Sequence, residues 1–122
     1  MATTEKDQER DDRITYEVIV DCYDEEEQAM GWYYYLEEKM ATPFKGKCIL
    51  ERSTSPLLLD EEVEVTDMAN ADTCENEMFV TVKWQNRELD VPLTQIEVVD
   101  GDEETREAVE DWHYWVGRGY GF

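Results

Sequence analysis

MFVTVKWQNRELDVPLTQIEVV, residues 78–99, is the stretch whose reading decides the fold. MFVTVKW (78–84) and RELDV (87–91) are short runs rich in strand formers, with Gln85-Asn86 between them as a tight hairpin turn. Val91-Pro92-Leu93-Thr94-Gln95 is a short turn feeding a last strand at 95–99 (QIEVV). Two more strands are expected upstream, at 45–52 (KGKCILER) and 61–66 (EEVEVT), separated by the longer link Ser53 to Asp60. Val63 and Val65 alternate with Glu62 and Glu64, which makes one sheet face core and the other wet, whereas Phe79, Val80 and Val82 alternate less cleanly. This strand order and these loop lengths predict an α+β chain built on a small SH3-like, five-stranded antiparallel β barrel.

Helices are expected on both sides of the barrel. Asp24 can cap a helix whose first turn, Glu25, Glu26 and Glu27, sits against the positive end of the dipole. Ala29, Trp32 or Tyr33, Leu36 and Met40 then form an apolar stripe over about 25–40, which Pro43 closes off. Gly31 lowers the helix propensity and so suggests close packing there. A second helix is expected over 102–116, with Val109, Trp112, His113 and Val116 at helical spacing, and the two helices are expected to pack through their aromatic faces. Residues 13–23 read two ways: Tyr16, Val18, Val20 and Cys22 alternate as in a strand, while Ile14, Val18 and Cys22 recur as on a helix. Residues 1–12, polar and without period, are expected to be a frayed tail ahead of one domain at 13–122, and the terminal GRGYGF reads as a flexible end.

Of 122 residues, 32 are Asp or Glu and 11 are Lys or Arg, a formal charge of −21. Such a charge repels nucleic-acid phosphates and anionic lipid, so neither nucleic acid nor membrane is an expected partner. It favours a cation, a basic protein surface, or solubility alone. Cys22, Cys48 and Cys74 share no CxxC spacing and read as small buried hydrophobes of an intracellular chain. MATTEKDQERDDR carries no apolar run of a secretory signal, and the expected location is cytoplasmic.

No catalytic set is visible. The one histidine, His113, sits inside an aromatic stripe, Ser53 and Ser55 lie in no nucleophile motif, and no glycine-rich loop joins a strand to a helix. Carboxylates are the abundant functional group, and a hard divalent cation such as calcium takes six to eight oxygens. An EF-hand loop fails, since placing Gly101 at its sixth position sets Ile96 and Val98 where oxygen ligands are required. Any site must therefore be assembled from separated segments. The Asp24–Glu27 and Asp100–Glu104 clusters read mainly as helix caps and first-turn acids. Glu37 and Glu38 oppose the dipole at a helix C-terminus, where the carbonyls of Glu38, Lys39 or Met40 are free for coordination. The loop Asp67–Glu77 offers Asp72, Glu75 and Glu77, and Glu110 and Asp111 could face either Glu37 and Glu38 or solvent.

The stretches VDCYDEEEQAMGWYYYLEEKM, PFKGKCI, SPLLLDEEVEV, CENEMFVTVKW, DVPLTQIE and EDWHYWVGRGY, in this order, resemble the cyanobacterial CcbP calcium-binding family over roughly residues 13–122. That resemblance implies a small acidic cytoplasmic calcium binder without EF-hands, one that buffers free calcium during heterocyst differentiation. It also implies a principal ligand after WYYYL, here Glu37 and Glu38, assisted by the backbone carbonyls that follow; glutamate in place of a relative's aspartate shifts the coordination geometry. Asp72, Glu75, Glu77, Glu110 and Asp111 rest on charge and position alone. An alternative from another class is an interaction module whose acidic face docks a basic protein partner.

Overall fold

The computed structural model describes residues 7–20, 22–53 and 55–118. Helix α1 (Gln8–Arg13) runs into a π-helical turn (Ile14–Val18), followed by α2 (Glu25–Lys39), strands β1 (Phe44–Cys48), β2 (Glu62–Met68), β3 (Phe79–Trp84) and β4 (Arg87–Pro92), a 3₁₀ turn (Leu93–Gln95), β5 (Ile96–Asp100) and α3 (Glu103–Gly117). The fold is α+β, with a five-stranded antiparallel sheet in the order β4-β3-β2-β1-β5. Gln85 and Asn86 take φ of 50° and 64°, the left-handed pair that a two-residue hairpin needs, and β3 pairs with β4 from Trp84↔Arg87 to Phe79↔Pro92.

The five expected strands are present, but the expected barrel is not closed. Among the described residues β4 and β5 are the two edges of an open sheet. The pairing register slips between Val65 and Asp67 and between Lys45 and Gly46, and such bulges twist a sheet without joining its ends. On its wet face β1 sets Lys45 and Lys47 opposite Glu64 and Glu62, and Lys45 Nζ lies 2.9 Å from a Glu62 carboxylate oxygen.

Both flanking helices form where the capping signals put them. The Asp24 carboxylate accepts from Glu27 N–H at 2.8 Å, and that of Asp102 from Thr105 N–H at 2.8 Å. They pack through aromatics as expected: Trp32 meets Trp112 edge-on at 5.1 Å between ring centroids and Trp115 at 5.5 Å. Trp115 and Asp111 are buried on α3, whereas Val116, expected in the stripe, is exposed.

The N-terminal segment departs from expectation. Residues 8–12, expected to belong to a frayed tail, are helical, and within 13–23 the helical reading holds as far as Val18, with Ile14 and Val18 buried one turn apart, while Ile19, Val20, Cys22 and Tyr23 are neither helix nor strand. Residues 1–6 of that tail, and GRGYGF beyond Arg118, lie outside the described residues. Two contacts explain the order. Tyr114 Oη accepts from Asp7 N–H and lies 2.9 Å from the Asp11 carboxylate. At Gly31 a Cβ would come within 2.5 Å of the Val18 carbonyl, so only glycine lets the π-helical turn lie this close against α2.

Candidate metal centre

Arginine sorts the candidate carboxylates into two classes. Asp111, fully buried on α3, accepts from Arg10 Nη1 at 2.7 Å, Arg13 Nε at 2.8 Å, Arg13 Nη2 at 2.7 Å and Tyr35 Oη at 2.9 Å. With its lone pairs taken and its charge met twice over, it fastens α1 to α3 and α2. The Arg13 guanidinium is driven still further toward its charged form, first by its hydrogen bond to Asp111. Glu110 is bound by Arg10 at 3.0 Å, and both oxygens of Glu77 accept from Arg52 at 2.9 Å. The expectation that Asp111, Glu110 and Glu77 serve as free ligands therefore meets an arginine in each case. Sequence reading missed this for Glu110 and Asp111 because Arg10 stands in the expected tail and Arg13 opens the segment that read as either strand or helix; their spacing of three on one helix face was the signal.

Of the remaining candidates, Asp72 and Glu75 lie across from the first turns of α2, and Glu37, Glu38 and Met40 lie at its C-terminal end. A cleft of about 440 Å³ separates the first turns of α2 from the loop between β2 and β3, and Glu25, Glu26, Asp72 and Glu75 border it together with Met30 and Asn76. Among the described residues none of these four carboxylates is paired with Lys or Arg. Asp72 and Glu75 were candidates from sequence; Glu25 and Glu26, read there as first-turn acids, face them from across the chain. No local pattern carries that juxtaposition. The loop is itself held: Asn70 Oδ1 accepts from both Thr73 N–H and Thr73 Oγ1 at 3.0 Å, and buried Cys74 Sγ accepts from Phe79 N–H at 3.4 Å.

From Glu26 the same helix face continues through Met30 and Tyr33 to Glu37, at spacings of four, three and four. Tyr33 reports the surroundings there: burial, then Glu37, then the fields of Cys74 and Asp67 push its hydroxyl up to about 12. Glu37 and Glu38 are exposed at the helix end, and Met40 buries its side chain in the core. Met40 N–H returns to the Leu36 carbonyl at 2.9 Å, but Ala41 N–H turns to Thr105 Oγ1 at 2.8 Å. The Glu37 carbonyl thus loses its helical donor, and oxygen ligands of both kinds collect at this end.

The donor chemistry of this side, carboxylates with amide and carbonyl oxygens, is that of a hard divalent cation. Its geometry is open. Among the described residues no three Asp, Glu, His or Cys side chains are grouped closely enough to hold a metal as they stand. The carboxylates border the cleft and do not converge in it.

Comparison with known proteins points the same way. The CcbP family model, described as calcium binding, matches residues 12–116. The crystal structure of Anabaena CcbP is similar over 100% of both chains at 42% identity, with a TM-score of 0.88. A structure described as a calcium binding protein in the calcium-binding form is similar at 41% identity, again over 100% of both chains, with a TM-score of 0.86. No curated protein matches.

Proposed function

We propose, since the chain belongs to the CcbP family of calcium-binding proteins, that it sequesters cytoplasmic calcium along the loop-facing side of α2. The observation that carries this reading is the division of the candidates by arginine: Glu77, Glu110 and Asp111 are neutralised, whereas Glu25, Glu26, Asp72 and Glu75 around the cleft, and Glu37 and Glu38 at the helix end, have no basic partner among the described residues. Like charges held around one cleft raise the free energy of the metal-free state, and a divalent ion turns their repulsion into attraction. Closing the carboxylates on the ion draws the first turn of α2 toward residues 71–76. This small movement suits a buffer for free calcium, the role the family resemblance implies in heterocyst differentiation.

Isothermal titration of chelator-stripped protein with charge-neutral variants tests it. Asp72→Asn with Glu75→Gln, and separately Glu37→Gln with Glu38→Gln, are each expected to weaken calcium binding at least tenfold, about 1.4 kcal/mol. Glu77→Gln and Glu110→Gln are expected to leave affinity unchanged. Equal losses in all four variants would reduce the binding to a diffuse ion atmosphere and refute the assignment.

A further inference from the structure

Between β1 and β2 the chain exposes four large aliphatic side chains in an otherwise charged surface: Ile49 is 40% exposed, Leu50 49%, Leu58 63% and Leu59 55%. Exposed apolar residues scattered singly need no explanation, but these are brought together. The β1–β2 register runs Phe44↔Val65 to Lys47↔Glu62, and hydrogen bonds extend it, from Cys48 N–H to the Glu61 carbonyl at 2.9 Å and from Asp60 N–H to the Cys48 carbonyl at 2.8 Å. Cys48 thus stands opposite both Asp60 and Glu61, a bulge, and Glu61 N–H returns to the Leu58 carbonyl at 3.1 Å, so Leu58 and Leu59 sit on the turn that brings β2 to the end of β1, where Ile49 and Leu50 follow.

Both arms of this patch are held from beneath. The Leu50 carbonyl accepts from the fully buried Gln95 amide at 2.7 Å and from Cys48 Sγ at 3.2 Å. On the other arm the Glu61 carboxylate accepts from Leu58 N–H at 3.1 Å and from Trp84 Nε1 at 2.9 Å, and Asp60 closes the turn at a φ of 66°. A fold that uses a buried amide and an indole to fix exposed leucines presents them already ordered, which lowers the entropy cost of docking. Glu51 and Asp60 flank the patch and are exposed, while neighbouring Lys47 lies 3.9 Å from both Asp60 and Glu97. An apolar centre with an acidic rim, on a chain of charge −21, complements a basic amphipathic segment and repels a second copy of itself.

We infer that the Ile49–Leu50/Leu58–Leu59 patch is a docking surface for a basic amphipathic segment of another protein, a function separate from the calcium side of α2. The full chain is titrated by fluorescence anisotropy with a labelled leucine–lysine amphipathic helical peptide, and with an oligolysine of equal charge, at physiological and raised salt. The leucine–lysine peptide is expected to keep binding at raised salt, and Leu58→Ser with Leu59→Ser to weaken it about tenfold. The same variant is expected to leave oligolysine binding, far-UV circular dichroism and the calcium titration unchanged. Equal binding of the peptide by parent and variant overturns the inference. So does sedimentation showing a dimeric parent and a monomeric variant, which would make the occupant a second copy. Should the variant fail to fold, amide shifts in the parent decide: peptide must move Leu50, Glu51, Leu58 and Leu59, and shifts confined elsewhere overturn the proposal.

Discussion

Replacing Asp111 by Asn keeps the volume of the side chain and removes its charge. The carboxylate is fully buried and accepts four hydrogen bonds of 2.7–2.9 Å, three of them from guanidinium nitrogens. An amide in its place offers a single acceptor oxygen and turns an NH₂ toward donors. Removing one partner of a buried ion pair typically costs about 3–5 kcal/mol. The lower end applies here, because the arginine side chains are 23% and 20% exposed and have Glu110 at 3.0 Å and Glu107 at 3.6 Å to fall back on. With an unfolding entropy of about 2.1 cal/mol/K per residue, 122 residues give about 0.26 kcal/mol/K, so a loss of about 3 kcal/mol lowers Tm by about 12 °C. Thermal denaturation in chelator, followed by circular dichroism, measures this, and calcium titration of the same variant below its Tm is expected to agree with the parent within about threefold. A Tm drop under about 3 °C, or a large loss of calcium affinity at unchanged Tm, would refute the view that Asp111 is an internal fastener and return it to the ligands.

Three further outcomes are expected. Gly31→Ala adds about 1 kcal/mol of helix propensity but sets a Cβ 2.5 Å from the Val18 carbonyl, so Tm is expected to fall and amide exchange at residues 14–18 to accelerate; a stabilised variant would contradict the close contact. His113 donates Nε2–H to the Leu93 carbonyl at 3.0 Å, and burial holds its pKa below the ordinary 6.5. The folded chain thus binds fewer protons than the unfolded, and this contribution is complete above the unfolded value and lost as pH falls toward the folded one. The Tm of His113→Gln relative to the parent is therefore expected to rise from about pH 7 to about pH 5, and a difference independent of pH would count against it. Calcium at about one hundred times its Kd adds about 2.7 kcal/mol, a Tm rise of about 10 °C over chelator by the same conversion, and an unchanged Tm would dissociate binding from folding.

Local signals were legible in the sequence. Gln85-Asn86, the Asp24 and Asp102 caps and the aromatic stripe of α2 each act within a few residues, and each is found where expected. What depends on distant contacts was not. Closure of the sheet turns on bulges and the accumulated tilt of all five strands, which no single strand pattern encodes. The order of residues 8–18 rests on Asp111 and Tyr114, about a hundred residues away, and on Gly31, whose value as a close-packing point was visible while its partner was not. The same holds for the calcium side: charge alone ranked Glu77, Glu110 and Asp111 with Asp72 and Glu75, and only the placement of Arg10, Arg13 and Arg52 separates them.

The most direct measurement is the anomalous difference map of a crystal grown with calcium, collected at a long wavelength. The account predicts density along α2 both between Glu25 or Glu26 and Asp72 or Glu75 and against Glu37 and Glu38, with Asp111 still bound by its two arginines. Density between α1 and α3 at Glu110 and Asp111, or at Glu77 with Arg52 displaced, would contradict it.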